Sequence, residues 1–588
     1  MQPAPGNKVI VAVWSVASLL WSAPAIADWP SSSVVNVPVC VAPNLQTVPA
    51  VTGDGLGGAI VVWQDARAGG SNFDIYAQRL LASGTVDPNW PVDGRVLSAA
   101  TGAQVNPQIV SDGSGGAIVA WQDVRGGVTS DIYAQHVLAS GLLDPAWNPN
   151  GQPVCSAAGN QRSVSLVSDG AGGAIVAWQD FRSDTTSDIY ALRILPSGLL
   201  GVAWPSEGRA LCVQPGNQTF QAIASDGSGG AIVAWQDSRG GAGSDIYAQN
   251  VRGDGALNSA WPVDGRALCT EANNQQSPIV VASKTGGAIV CWHDFRGGAT
   301  SDIYAQRVGA DGTIDPAWTV GGQVLCAAVG NQQTPKAVSD GSDGALLAWA
   351  DFRGGGLSDV YAQHVLASGS VGAGWLSDGR AVCTAAGNQN SLSAASDGSG
   401  GVLLVWTDAR NGGVADVYGQ HVLGTGSMDP AWPSDGRALC TATGSQSSAT
   451  ILGEGSGGAI VAWSDGRLGG PTGIDVYAQR VQANGQLGGS VVAVPNPEGY
   501  TFALGSVRPN PWSRGALTVA LSLADDDAAW LEILDVGGRR IVLKDVGGVG
   551  PGLHYVAVEQ AQQLSPGIYF VRLQQRDHVS TGRFVVLE

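Results

Sequence analysis

The sequence carries little charge and little helical pattern. Only 13% of its 588 residues are charged, and acidic residues outnumber basic ones by 48 to 30, which gives a formal net charge of −18. Phosphate contacts need a basic face, so this balance argues against nucleic acid as a ligand. No apolar stripe with helical spacing runs through the central part of the chain. The 85 glycines indicate many turns between short strands.

Recognisable catalytic motifs are missing from the sequence. There is no Walker loop, no His-Glu-x-x-His helix, no Gly-x-Ser-x-Gly elbow and no Cys-x-x-Cys pair. A glycosidase needs two carboxylates about 5–10 Å apart, and the many aspartates mark no unique pair. These absences favour a binding or structural role over catalysis.

Long apolar runs are absent except at the N-terminus. Lys8 precedes an apolar run, Val9–Leu20, and Ala25-Ile26-Ala27 supplies the small residues of a cleavage site. We predict a signal peptide over residues 1–27, and its removal takes away Lys8, so the mature charge is −18 − 1 = −19. The mature protein is therefore expected to be secreted or attached to the outer cell surface, and not to span a membrane.

A tryptophan repeat dominates the rest of the chain. The first interval is 58 residues and the other six are 57. The eight tryptophans are Trp63, Trp121, Trp178, Trp235, Trp292, Trp349, Trp406 and Trp463. Each copy holds four short strand-like segments separated by Gly-rich turns, which predicts an all-β, eight-bladed β-propeller of 57-residue, four-stranded repeats over residues 28–487. An open β-solenoid or a string of sandwiches is the alternative.

The phase of the repeat suggests how the ring closes. Val35–Ala42 resembles the fourth segment of a copy, and the eighth copy lacks a full one. This leading segment is a candidate to complete the last blade, which would hide open sheet edges. Ser490–Val494 competes for the same place, and the sequence leaves the two open.

Several other positions recur in every copy. In the fifth copy they are Trp292, Asp294, Arg296, Asp302 and Tyr304, and a Gln opens each copy, here Gln275. A catalytic site needs unlike groups at one place, so groups repeated eight times indicate scaffold positions. We expect the Trp to fill the gap between blades, and the Asp–Arg pairs, if exposed, to fix loop shape.

Two residues are peculiar to the fifth copy, and both are weak binding candidates. Cys291 and His293 are predicted to share one strand face, with Asp294 on the other. Two side chains are too few for zinc, which takes three or four protein ligands, so no catalytic, cofactor or metal residue is predicted. His136, His364 and His421 share one third-strand position and are predicted to be solvated.

Two further sets of residues are of types that bind metal ions or form disulfides. The Asp-Gly-Ser-Gly-Gly turns suggest Ca²⁺, but they lack the extra carboxylates of calcium loops, and tight hairpins explain them better. Cysteines recur at 57-residue intervals, so they occupy equivalent positions in neighbouring blades. A full blade spacing is too great for a disulfide, and the cysteines are therefore predicted to be buried free thiols. They are Cys155, Cys212, Cys269, Cys326, Cys383 and Cys440, with Cys40 in the leading segment.

The last part of the chain has a different pattern. Residues 488–501, with Pro495-Asn496-Pro497, are predicted to be a linker. Five strand-like runs follow over residues 502–588, which predicts a small Ig-like β-sandwich. The segments VRPNPW (Val507–Trp512), LEILDVGGRRI (Leu531–Ile541), LSPGIYFVRL (Leu564–Leu573) and a final VVLE resemble the type A sorting domain of type IX secretion. They are also similar to the Ig-like domain of flagellar hook-capping proteins.

These patterns lead to one functional expectation. The sorting-domain resemblance implies a bacterial protein that secretion machinery exports across the outer membrane. We expect a secreted or cell-surface interaction scaffold with an unidentified extracellular ligand, a glycan or a protein. The alternative is a secreted carbohydrate-active enzyme, a glycosidase or lyase, with its site in the propeller channel or in irregular loops such as Asn72-Phe73 and Ser183–Thr186.

Overall fold

The chain forms two compact units that divide between Ser490 and Val491. The computed structural model describes residues 29–489 except 71, 184, 242 and 469–472, and then 503–508, 517–523, 528–546, 552–558, 564–576 and 578–587. Every regular element in these residues is a β-strand. The predicted signal peptide and nearly all of the predicted linker lie outside the described residues, and both stay predictions.

The first unit is a ring of eight four-stranded antiparallel blades. The innermost strands are β2 (Gln46–Gly53), β6 (Gln104–Ser111), β10 (Gln161–Ser168), β14 (Gln218–Ser225), β18 (Gln275–Ala282), β22 (Gln332–Ser339), β26 (Gln389–Ser396) and β30 (Gln446–Gly453). The second strands are β3 (Ala59–Asp65), β7 (Ala117–Asp123), β11 (Ala174–Asp180), β15 (Ala231–Asp237), β19 (Ala288–Asp294), β23 (Ala345–Asp351), β27 (Val402–Asp408) and β31 (Ala459–Asp465). Blade 1 begins with β2, blade 2 with β6, and so on to blade 8 with β30.

The third and fourth strands complete each blade toward the rim. The third strands are β4 (Asp74–Leu80), β8 (Asp131–Val137), β12 (Asp188–Ile194), β16 (Asp245–Val251), β20 (Asp302–Val308), β24 (Asp359–Val365), β28 (Asp416–Val422) and β32 (Asp475–Val481). The fourth strands are β5 (Arg95–Ser98), β9 (Gln152–Cys155), β13 (Arg209–Cys212), β17 (Arg266–Cys269), β21 (Gln323–Cys326), β25 (Arg380–Cys383), β29 (Arg437–Cys440) and, for blade 8, β1 (Val37–Cys40). The predicted fold class is confirmed.

The second strands read as continuous apolar runs because both of their faces are covered by neighbouring blades. All seven residues of β19 (AIVCWHD) are buried. Trp292 packs with Trp261 and Cys269 of blade 4, whereas Cys291 packs with Leu347 and Trp349 of blade 6. Adjacent residues of a strand point to opposite faces, so one strand serves two interfaces.

Each innermost strand contains a bulge near its start. In β18 the pairing register shifts between Gln276 and Ile279. The third residue of every innermost strand is left-handed, with φ between 50° and 56°. These residues are Val48, Asn106, Ser163, Phe220, Ser277, Thr334, Ser391 and Ser448. None is a glycine, so the fold itself imposes this conformation at a bulge.

The N-terminal segment closes the ring. β1 pairs antiparallel with β32, with Val37 opposite Ala478 and Cys40 opposite Val476. Trp29 occupies the second-tryptophan position of blade 8, and its Nε1 donates to Ala82 O at 3.0 Å, as Trp90 Nε1 donates to Ala139 O at 3.3 Å. The leading segment therefore supplies the fourth strand of blade 8. The competing segment 490–494 lies outside the described residues.

The second unit is a sandwich of two antiparallel sheets, with orders β33-β34-β37 and β36-β35-β38-β39. Its strands are β33 (Ala503–Arg508), β34 (Thr518–Leu523), β35 (Ala529–Asp535), β36 (Arg540–Asp545), β37 (Gly552–Ala557), β38 (Gly567–Gln575) and β39 (His578–Val586). Leu521, Leu531, Val571 and Phe584 share one core between the sheets. Five strands were predicted, and β33 and β36 are additional. No helix in the described residues is long and apolar enough to cross a membrane.

Candidate functional site

The recurring residues form a buried cluster at every interface between blades. In blade 5, Trp292 Nε1 and the Arg296 guanidinium both donate to Asp294 Oδ2 at 2.7 Å. Arg296 Cζ lies 3.9 Å above the centre of the Tyr304 ring, and Trp292 stacks beside that ring. The same Arg donates to Cys269 Sγ of blade 4 at 3.1 Å. One carboxylate therefore binds two side chains of its own blade, and the arginine extends the cluster to the preceding blade.

This cluster is more buried than the sequence analysis expected. The Asp294 side chain is 0% exposed, and Gln275 Nε2 approaches its Oδ1 at 3.4 Å. The Asp–Arg pairs are therefore not surface pairs that merely shape loops. Burial raises the pKa of the Cys269 thiol to about 12, so this thiol is not a nucleophile near neutral pH. The prediction of buried free thiols is confirmed for the seven cysteines to which it applied, and Cys291 is also a buried free thiol.

The two residues peculiar to blade 5 lie on the face opposite Asp294. Cys291 is fully buried in the apolar interface with blade 6. His293 Nε2 lies 3.4 Å from Gln276 Oε1, and burial lowers the pKa of His293 to about 4, so it is neutral at physiological pH. Among the described residues, no group of three or more His, Cys, Asp and Glu side chains is arranged to hold a metal ion. Neither the zinc nor the calcium alternative gains support.

A second recurring network lies at the end of the ring that carries the first-to-second-strand turns, the turn face. Asp112 Oδ1 accepts hydrogen bonds from Ser114 N and Gly116 N at 2.6 and 2.9 Å. His136 Nε2 lies 3.0 Å from Asp112 Oδ2, and His136 Nδ1 lies 2.9 Å from Asp144 Oδ2. In blade 1, Arg79 takes the place of the His and binds Asp54 and Asp87. The Arg79 guanidinium therefore joins two turns of one blade.

The prediction that His136, His364 and His421 are solvated is wrong. Their side chains are only 6–10% exposed, because each fills the space that an Arg occupies in other blades. Burial lowers the pKa of His136, but the hydrogen bonds that its ring donates to Asp112 and Asp144 outweigh burial and raise the pKa overall. These imidazoles therefore take the place of the arginine as the hydrogen-bonding partner of the turn aspartate.

On the turn face, the first-to-second-strand turns of blades 5 and 6 depart from the repeat. Blade 5 has Ser283-Lys284-Thr285 where blade 2 has Asp112-Gly113-Ser114. Blade 6 has Asp343, with φ 66°, where the other turns have Gly. Asp343 Oδ1 accepts hydrogen bonds from Ser283 Oγ at 2.8 Å and from Lys284 N at 2.6 Å. A carboxylate from the next blade thus holds the turn that lacks its own aspartate.

A cavity of about 610 Å³ lies at this sector, between the turns of blades 5, 6 and 7. We call it the turn cavity. Its lining includes Lys284, Asp340, His364 and one aliphatic side chain, Leu366. The remaining lining is glycine backbone and four serines, Ser339, Ser342, Ser396 and Ser399. Most of the residues that line the turn cavity are therefore serine or glycine.

Sequence reasoning did not find this site. The alternative enzyme site is predicted in the propeller channel or in the irregular second-to-third-strand loops, and those loops lie at the opposite end of the second strands. A usable signal was present, because Ser283, Lys284 and Asp343 depart from the repeat in adjacent copies. Gly372 stands where Asp144 and Asp429 hold a His in blades 2 and 7, and among the described residues His364 accordingly contacts one carboxylate, Asp340, at 2.9 Å.

Comparisons with known proteins give structural similarity of low degree. No family model and no curated protein matches the chain. An α-L-arabinanase of Penicillium chrysogenum, solved with arabinobiose, has 13% identity and a TM-score of 0.33, over 76% of this chain and 98% of its own. A Dyadobacter fermentans protein of unknown function has 12% identity and a TM-score of 0.33, over 56% of this chain and 98% of its own. The endo-arabinase of Bacteroides thetaiotaomicron has 12% identity and a TM-score of 0.26, over 47% of this chain and 97% of its own. Similarities of this size carry no argument about activity.

Proposed function

We propose that this chain is a secreted or cell-surface binding protein that takes an extracellular glycan in the turn cavity. The observation that supports this proposal is that the cavity coincides with the turns of blades 5 and 6, which carry residues found at no equivalent turn position. A ring of equal blades presents eight equal surfaces, whereas a ligand site needs one distinct set of groups. Blades 5 to 7 provide such a set, with Lys284 and Asp343 at positions that are glycine elsewhere.

The lining suits a polyhydroxylated ligand. Ser399 is exposed, and Ser339 and Ser396 use their hydroxyls as acceptors from Gly341 N and Gly398 N at 3.1 and 3.2 Å. A hydroxyl has two acceptor lone pairs and one donor, so these groups retain capacity for sugar hydroxyls. A flat apolar surface of the kind that buries a peptide or lipid chain is not formed, since Leu366 is the one large aliphatic lining residue.

Binding is favoured over hydrolysis by the carboxylates. Asp340 is the one carboxylate lining the turn cavity, and its oxygens are engaged by Ser342 N, Gly344 N and His364 Nε2. Glycoside hydrolysis generally takes two carboxyl groups across the scissile bond. The carbohydrate-active enzyme therefore stays the alternative, and the experiment below includes it.

The export route is a separate part of the proposal. The apolar run before Ala27 and the sorting-domain resemblance of residues 502–588 both support passage across two membranes. We expect residues 502–588, fused to a periplasmic reporter, to bring the reporter to the surface of a bacterium that has type IX secretion. A reporter that stays periplasmic with and without this segment would remove the sorting role and leave the binding role intact.

One substitution tests the binding site directly. Ser399→Trp places a large side chain in the turn cavity, and Ser114→Trp places the same side chain at the same turn position of blade 2. On a glycan array, we expect the mature protein and Ser114→Trp to bind the same glycans and Ser399→Trp to lose them. Equal binding by all three would place the site elsewhere. Polysaccharide cleavage that disappears in Asp340→Asn would establish the enzyme alternative instead.

A further inference from the structure

The lysines of this chain are few and clustered. The sequence has four, Lys8, Lys284, Lys336 and Lys544. Lys8 belongs to the predicted signal peptide and Lys544 to the sandwich, so the mature propeller has two lysines. They lie in adjacent blades, Lys284 in the turn of blade 5 and Lys336 on the innermost strand of blade 6. In a propeller of this size, the two lysines therefore fall in one sector.

The arginine side chains nearest the turn face already form ion pairs with carboxylates of the protein. Arg79, Arg193 and Arg480 bind Asp54, Asp169 and Glu454 within their own blades. Arg307 faces Ser283 instead of an aspartate, and it binds Asp315 at 3.0 Å and reaches Asp343 of blade 6 at 4.0 Å. These guanidinium charges are balanced by the fold, so they offer little to a charged ligand.

Lys284 is placed differently. Its backbone N–H is held by Asp343, while its side chain is exposed and lines the turn cavity. The carboxylate that fixes the turn also faces Arg307, so its charge is shared with a guanidinium. The Lys284 ammonium therefore lies at the cavity on a turn with a fixed backbone, which reduces the entropy lost when it binds an anion.

Lys336 lies deeper along the same sector. It precedes the cavity residue Ser339 by three positions on β22, which is about 10 Å at the usual strand rise. Its side chain is open to solvent, yet the surrounding strands desolvate the amine and lower its pKa. Equivalent positions in other blades carry Gln108, Ile279 and Ser393. A bound anion would stabilise the charged form of this amine.

We infer that the ligand of the turn cavity is an anionic glycan, whose carboxylate or sulfate groups bind Lys284 and, further along the innermost strand, Lys336. This inference rests on the proposed glycan-binding function. Two cations suit a ligand with one or two acidic groups rather than a dense polyanion, since the mature protein as a whole carries a charge of −19 (−18 − 1 for Lys8) and repels one. Serine hydroxyls beside a cation can hold sugar hydroxyls and an acid group together.

The experiment uses the full mature chain and three probes of similar length: a dextran oligomer that carries one or two carboxylate groups, a dextran oligomer that carries one or two sulfate groups, and neutral dextran. Binding is measured by calorimetry at low and high salt. We expect one or both acidic probes to bind and dextran not to bind, and the acidic probe that binds identifies carboxylate or sulfate as the recognised group. Lys284→Gln should weaken binding about five- to tenfold, the double variant with Lys336→Gln should weaken it further, and high salt should mimic them.

A matched variant controls for net charge. Arg252→Gln removes one positive charge from an exposed pair with Asp254 in blade 4, outside the turn cavity. It should bind like the unchanged protein, and thermal melts should show that all variants are folded. The anion inference would be overturned if Arg252→Gln weakened binding as much as Lys284→Gln does. It would also be overturned if neutral and acidic probes bound equally well and Ser399→Trp abolished the binding of both. In either case the binding site itself would stand. Absence of binding to every glycan, or binding that Ser399→Trp leaves unchanged, would overturn the proposed function itself.

Discussion

At the scale of single residues, the aspartate two positions after each repeat tryptophan is the centre of the interface. Asp294 is fully buried, and its partners are an indole N–H, a guanidinium and a neighbouring thiol. A buried carboxylate is tolerated only when its charge and hydrogen-bonding capacity are matched, and here they are. Its recurrence in eight blades is therefore a packing solution rather than a sign of catalysis.

Asp294→Asn should destabilise the propeller. The amide keeps the shape of the carboxylate but leaves the Arg296 charge without its partner in a mostly desolvated interface. We expect the free energy of unfolding to fall by about 2–4 kcal/mol, measured by urea denaturation followed through tryptophan fluorescence. Asp254→Asn removes an exposed carboxylate and should have no measurable effect. Equal stability of Asp294→Asn and the unchanged protein would show that the pair contributes little.

The aspartate that opens each third strand behaves differently. In blade 2, Asp131 is directly opposite Asp123, and burial together with that charge raises its pKa from 3.8 to about 6. The folded state thus holds this proton more tightly than the unfolded chain, so stability is lost as pH rises from about 4 to 6. Asp131→Asn should stabilise the protein by roughly 1–2 kcal/mol at pH 8, because the amide imitates the protonated acid.

The pH dependence separates this effect from a simple change in packing. Thermal melts at pH 8 and pH 4 should show the gain of Asp131→Asn at pH 8 and little difference at pH 4. Asp311→Asn, at an exposed turn where the carboxylate is stabilised by Thr313, should give no gain at either pH. An equal gain at both pH values would rule out the titration of Asp131 as the cause.

At the scale of elements, β1 is the strand on which the ring depends. Seven fourth strands follow their own blade in the chain, whereas β1 reaches blade 8 from the opposite end of the propeller sequence. Without it, β32 is an exposed edge, which is a template for association with other strands. Val39 is 2% exposed and belongs to the core shared by blades 8 and 1.

Val39→Asp should therefore open the ring. A buried, unpaired carboxylate costs several kcal/mol, more than a four-residue strand is expected to recover. We expect a lower melting temperature and concentration-dependent oligomers in size-exclusion chromatography with light scattering. Val35→Asp, at a residue that is 56% exposed just before β1, is the control and should stay monomeric like the unchanged protein. A normal melt for Val39→Asp would mean that β1 is dispensable.

At the scale of the whole molecule, the sequence determines the ring more readily than it determines the site. Eight blades follow from the tryptophan spacing, since equivalent residues must occupy equivalent interfaces. The buried state of His136 could not be predicted, because a His replacing an Arg on a strand looks solvated until both flanking aspartates are placed around it. Lys284 and Asp343 are distant in the sequence, and only the ring brings their turns together. Departures from a repeat are informative when they occur in neighbouring copies.

The same symmetry predicts that the position of the chain ends is arbitrary. Gly488 lies against Trp29 O, since a Cβ added there would approach that oxygen to 2.3 Å, so the end of blade 8 already meets the start of its own closing segment. A permuted propeller that runs from residue 46 to 489 and continues with residues 29–45 should therefore fold with the melting temperature of the original order to within a few degrees. The chain 46–489 without that segment lacks β1 and should melt far lower and associate. If the permuted chain melted and associated like the truncated chain, ring closure would depend on the order of the segments along the chain and not only on the contacts of β1. Blade 8 would then not be equivalent to the other seven blades.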